Sequence, residues 1–203
     1  MSSTIEAILP HHLVSFEEIE QLPKGLGPVL KALFTLEKAY SQSDRTDFSS
    51  LTGAWHLVSW SRPDSGLTPR QEWEAGKGPR IIAPEPMPEC AATWLVFGKK
   101  CLFVTTPIKW PAALARPALF EDATQYLRAL ASVLGSEAFI LYRSTTGAGW
   151  HWVLDGLSLE EIQQRFRKGG SKPAASLDAL PSSSMKSERT RHYFEHAQGL
   201  RSP

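Results

Sequence analysis

At 203 residues, with 42% hydrophobic and 21% charged residues, the chain has the length and composition to bury one substantial core without staples. A formal net charge of +1 gives no whole-molecule field to gather nucleic acid or anionic membrane. Two cysteines are too few for a disulfide-built secreted domain, and no run approaches the roughly 18 apolar residues of a membrane span.

Residues 1–14 carry little pattern. They lack the basic region and long apolar run of a secretory signal, so a cytoplasmic location is expected. Ser15 followed by Glu18 forms a capping box and predicts a helix from Phe16. Pro23, Gly25 and Gly27 interrupt it. Pro28 then suits the first turn of a second helix over 28–41, whose Val29, Leu30, Leu33, Phe34, Leu36 and Tyr40 fall mainly on one side. The polar stretch 41–50 reads as a loop.

A strand is expected over 54–61, with large apolar groups on both faces. Residues 62–90 hold six prolines and cannot be continuous helix or central strand. They read as an excursion held by Trp73 and the Ile81–Ile82 pair. The clearest hairpin joins 91–97 to 101–106 through Gly98-Lys99-Lys100. It leaves Cys90 and Cys101 too far apart to bridge, so both are expected as free thiols.

A long amphipathic helix is predicted over 120–134, ended by Gly135. A second hairpin is expected from 138–143 to 150–154. Ser158 and Glu161 make another capping box and open a helix over 159–167. From Ser171 onward, serine, proline and alanine dominate, and a disordered tail over 171–203 is expected. The fold class is therefore α+β: a mainly antiparallel sheet of about five strands with helices packed on one face. It forms a single domain over 1–170, made of N-terminal helices at 16–41 and a sheet with helices at 51–168.

No catalytic set emerges. There is no Gly-x-Ser-x-Gly elbow, and Thr145-Thr146-Gly147-Ala148-Gly149 lacks the lysine and following helix of a phosphate loop. His192 and His196 are four apart and could meet on a helix, but no third ligand accompanies them. His11 and His12 are adjacent and do not share a face. No metal and no cofactor is expected.

Seven tryptophans are many for this length, and most lie on or beside predicted strands. Tryptophan combines large apolar area with one donor and is enriched at binding hot spots. The candidate binding residues are Trp55, His56, Trp60, Trp94, Trp150, His151 and Trp152. The leading expectation is a non-enzymatic protein that holds a protein partner on an aromatic-rich sheet face or cleft. The alternative is a small apolar-ligand carrier, or an enzyme, with a pocket lined by His56 and His151. Nucleic-acid binding through Lys99, Lys100, Arg143, Arg165, Arg167 and Lys168 is disfavoured by the near-zero charge.

The segment Leu51-Thr52-Gly53-Ala54-Trp55-His56-Leu57-Val58-Ser59-Trp60 resembles the Gly-x-Trp first strand of lipocalin-like proteins. That resemblance implies a barrel holding a small apolar ligand. The order of elements over 28–168 is similar to that of bacterial secretion chaperones.

Overall fold

In the computed structural model, residues 3–41, 56–59, 66–82, 95–144, 149–182 and 190–196 are described. Within them one mixed sheet of eight strands runs in the order β2-β3-β4-β5-β1-β6-β8-β7. The strands are β1 (Thr4–Pro10), β2 (His56–Val58), β3 (Arg80–Ile82), β4 (Leu95–Phe97), β5 (Cys101–Lys109), β6 (Ala138–Arg143), β7 (Lys172–Pro173) and β8 (Arg191–His196). Every neighbouring pair is antiparallel except β7 with β8. The helices are α1 (Phe16–Ser41), α2 (Pro69–Glu74), α3 (Trp110–Ala115), α4 (Pro117–Val133), α5 (Gly149–Leu154) and α6 (Leu159–Lys168).

The N-terminal stretch, unpatterned by sequence, is a central strand. β1 lies between β5 and β6 and is buried from Ile5 to Leu9. A strand covered on both faces loses the apolar–polar alternation that marks a half-buried one. Ile5, Ala7 and Leu9 face one layer, with Leu102, Val104, Phe139 and Leu141 beside them. Ile8 faces the other, with Cys101, Phe103, Ile140 and Tyr142.

Each face has its own helical cover. Ile19 and Leu26 of α1 pack with Leu119, Leu127 and Leu130 of α4 on the first face. Val153 of α5 and Leu159, Ile162 and Phe166 of α6 close the second. Over its described side chains, Ile19 to Val29, α1 shares this face with α4. The expectation of helices on a single face of about five strands is corrected to helices on both faces of eight, because α5 and α6 take the opposite side.

Three further differences have local causes. First, α1 is continuous through Pro23 and Pro28. A proline inside a helix forfeits one hydrogen bond and crowds the preceding turn, but Ile19, Leu22, Leu26 and Val29 gain burial across that span. Second, residues 150–154 form α5 rather than a hairpin strand. Trp150, Val153, Leu154 and Leu157 pack on the second core, a spacing of three and four that is helical. Third, the segment 171–203, expected to be a disordered tail, contributes β7 and β8. Tyr193 and Phe194 alternate onto the first and second cores, and Arg128 of α4 grips Glu195 with two 2.8 Å hydrogen bonds.

Other expectations hold. Ser15 and Glu18 exchange capping bonds at the start of α1, and Ser158 and Glu161 do so for α6. The turn of the β4–β5 hairpin sits at Gly98–Lys100. Trp73 and Ile81 are buried within the described part of the excursion, 66–82. That excursion also holds α2, opened by an unanticipated Thr68–Gln71 capping box. Cys101 is a free, buried thiol, and Cys90 lies outside the described residues. The sheet runs from β2 to β7 with no closing pair among the described residues, which departs from the barrel, and residues 150–154, a strand in the chaperone-like order of elements, are helical. No helix among the described residues is long and apolar enough to cross a membrane.

Candidate functional site

The sequence-derived aromatic candidates divide in two. Trp55, Trp60 and Trp94 lie outside the described residues, as does the His56 side chain, whose backbone pairs with Ile82 at the β2 end of the sheet. Trp150, His151 and Trp152 occupy α5, not a strand. Trp150 and Trp152 are half-buried and His151 is exposed. The His151 imidazole stacks on the Trp150 indole at 3.4 Å between ring centres. Trp152 meets the Phe166 ring edge-on at 5.1 Å. The expected convergence of His56 and His151 required two strands of one face. His151 is instead on the outside of a covering helix.

The pairing registers assemble a different group. Glu6 on β1 stands opposite Thr105 on β5 and Tyr142 on β6. Tyr142 stands opposite His192 on β8. Four adjacent strands thus place Thr105, Glu6, Tyr142 and His192 on one rung, on the face that α5 and α6 cover. Glu6 is 5% exposed, Tyr142 4% and His192 0%. Glu6 Oε2, Tyr142 Oη and His192 Nε2 are each buried without a hydrogen-bond partner among the described residues. Buried polar atoms are normally satisfied, so three on one rung require a reason.

Burial pushes the Glu6 carboxyl above its usual range, against smaller opposing pulls from the Ser144 and Tyr142 hydroxyls. Burial also drives the Tyr142 phenol well above its usual value, and the Glu6 charge adds to this. The two tips are close enough that the contact between them contributes to both shifts, lowering the Glu6 value and raising that of Tyr142. Gly149, the first residue of α5, closes over them. A Cβ there would overlap the Tyr142 hydroxyl oxygen and crowd the Phe103 ring.

His192 sits apart from that pair, behind Phe166, whose ring stacks on the imidazole at 5.2 Å and meets Tyr142 edge-on at 4.8 Å. Ser171 Oγ donates to Thr190 O at 2.7 Å and lies 2.8 Å from His192 Nδ1. A hydroxyl has one proton, so Nδ1 carries the hydrogen and Nε2 is the bare nitrogen. Burial, then the Arg167 charge, pull this imidazole down to about 4. The serine proton is committed to a carbonyl, so the pair is a structural latch and not a nucleophile with its base.

His11 is also buried, with Nε2 2.9 Å from Gly98 O, and its own burial lowers its proton affinity. It packs against Trp73 and Phe97 and holds the β4–β5 turn, while His12 is exposed. His192 and His196 lie on a strand, where four residues span about 13 Å, and this separates any ligand pair. Among the described residues no group of three His, Cys, Asp or Glu could hold a metal ion.

Glu6, Tyr142 and His192 were missed by sequence reasoning as a group, since cross-strand register is not local. Glu6 alone left a trace: a single carboxylate inside Ile5-Glu6-Ala7-Ile8-Leu9. Comparison with protein-family models, with curated proteins and with solved structures finds no match.

Proposed function

We infer that the chain is a non-enzymatic binding protein that holds a protein partner on the aromatic ridge of α5. The observation that carries this reading is the arrangement of Trp150, His151 and Trp152. Two half-buried indoles flank an exposed imidazole that is already stacked on one of them. Large rings held in place before contact lose little freedom on binding, which is the economy that hot-spot residues exploit. Charge nearby is of mixed sign. Lys100 approaches Glu161 at 3.5 Å, and Glu160 and Asp155 are exposed. That mixture favours a protein surface over a polyanion, which requires a one-signed field.

The test places a photo-crosslinking phenylalanine at His151 in the full chain. Irradiation in cells that produce it should yield one discrete adduct with a second protein. The adduct should disappear in Trp150→Ala, with the cooperative melt retained. Trp150 is the better position to vary, because Trp152 also supports Phe166. A panel of irradiated samples without an adduct, or an adduct indifferent to Trp150→Ala, would remove α5 as the contact surface.

A further inference from the structure

Strand register gathers positive charge at one end of the sheet. Arg143 of β6 stands opposite Ile5 of β1, and Arg191 of β8 stands opposite Lys172 of β7. β6 and β8 pair through Tyr142 and His192, so the next step outward brings Arg143 beside Arg191. Three adjacent strands thus carry Arg143, Arg191 and Lys172 on one rung. Side chains of one rung share a face. Here it is the face opposite to Glu6, since the three cations are one residue out of phase with the Glu6–Tyr142–His192 rung.

Like charges at directly opposed strand positions are unfavourable, and the strands themselves supply nothing to offset them. β1, β6, β7 and β8 hold two acids, Glu6 and Glu195. Glu6 has the wrong phase, and Glu195 gives both oxygens to Arg128 near the far end of β8. No ion pair among the described residues reaches Arg191 or Lys172. Lysine on a sheet edge deters pairing with another chain, which accounts for Lys172 on the outermost strand. It does not account for Arg191, one strand inward. Arg191 is half-buried, and its Nε is buried without an acceptor among the described residues. Arg143 is steadied by Ser3, whose Oγ lies 3.1 Å from its Nε. Arg167, in the last turn of α6, adds to the field, and its charge is felt by His192 on β8.

A doubly charged oxyanion answers these features together. Guanidinium forks match phosphate oxygens in pairs, and an ammonium adds a point charge. The rung spans three strands, about 10 Å, within reach of long side chains converging on one group. The whole-chain net charge of +1 does not oppose this, because at physiological salt a field is set by charges within about 8 Å. We propose that Arg143, Arg191 and Lys172 form a surface site for the phosphate group of a small ligand. Partner binding on α5 uses other residues, so either can fail alone.

The test is isothermal titration calorimetry of the full chain at fixed ionic strength, with inorganic phosphate and phenyl phosphate as probes. Saturable binding is expected, with a Kd of about 1 mM or below for three charge-assisted hydrogen bonds. Tighter binding of phenyl phosphate assigns the group to an organic ester, and tighter binding of inorganic phosphate assigns it to the free anion; both support the site. Lys172→Gln and Arg191→Gln should each weaken binding by about tenfold. Arg191→Lys keeps the charge without the fork and should fall between parent and Arg191→Gln. Lys24→Gln removes the same charge from an exposed position on α1 and should bind like the parent. Circular dichroism melts establish that each variant folds, and the exposed Lys172 keeps the test decisive should Arg191→Gln unfold. Failure of both probes to saturate overturns the site. Unchanged binding by Lys172→Gln does so equally, as does an equal loss in Lys24→Gln, which would reveal a general charge effect.

Discussion

Acidification should weaken this fold through His192, and the size of the effect follows from its surroundings. The imidazole has no exposed surface, so water does not screen it. In the unfolded chain it takes up a proton near pH 6.5, whereas in the fold it does so only near about 4. A group with a depressed basic pKa is neutral when folded. The unfolded state therefore binds the extra proton, and stability falls as pH drops through 6.5 toward 4. At about 1.4 kcal/mol per pH unit the full effect is on the order of 3 kcal/mol, and most of it is lost between pH 7 and pH 4.5. Glu6 acts in the opposite sense. Its raised carboxyl pKa contributes stability at low pH that is lost as pH rises through the folded value. A subtraction isolates the histidine: urea unfolding of parent and His192→Asn, read by tryptophan emission at pH 7 and pH 4.5. Asparagine keeps a polar atom for Ser171 and removes the titration. The parent should lose about 2–3 kcal/mol more than the variant across this interval. Equal losses would mean that His192 is charged in the fold, or reaches water, and the latch described above would be wrong.

Two further expectations concern close packing. Gly98→Ala should destabilise the fold by about 1–3 kcal/mol or more, because a Cβ there would overlap Val153 O, and the carbonyl of Gly98 itself holds His11; a thermal melt within a degree or two of the parent would contradict the close approach of α5 to the β4–β5 turn. Cys101, with no exposed surface and its thiol pushed up to about 12 by burial, should react with Ellman's reagent only as fast as the chain unfolds. Rapid labelling of Cys101 in native protein, identified by peptide mapping, would place it outside the second core.

How much of this was legible depends on the range of the interaction. Capping boxes at Ser15–Glu18 and Ser158–Glu161 are three residues long, and both formed as written. The pattern of 120–134 repeats within one helix, and α4 followed it. Failures began where the partner is distant. Trp150-His151-Trp152-Val153-Leu154 has the composition of a strand, yet both sides of β6, its expected hairpin partner, are taken by β1 and β8, and Val153 anchors the segment as a helix instead. Tyr193 and Phe194 look isolated in a polar tail, but they fill places on β8 that only β6 reveals. Pro23 and Pro28 were read by local rule, and the tertiary burial of their neighbours outweighed it. Of the candidate site, Trp150 and Trp152 were placed by sequence on a strand, and they lie on helix α5. The Glu6–Tyr142–His192 rung needed registers between segments more than 130 residues apart.

Parity explains why the polar groups collect where they do. On β1 the odd residues Ile5, Ala7 and Leu9 meet α1 and α4 across a face that is apolar along its whole central strand. Glu6, one step out of phase, can only look the other way, and pairing carries that phase to Tyr142 and then to His192. A shift of register by one residue would exchange the two faces and drive all three groups under the long helices. The long helices therefore bury hydrocarbon against one side of the sheet. The shorter α5 and α6 cover the side that bears the acid, the phenol and the imidazole. The face that contributes most of the apolar burial is free of ionisable groups in its central strand, and the cost of the buried polar rung falls on the face with the lighter cover.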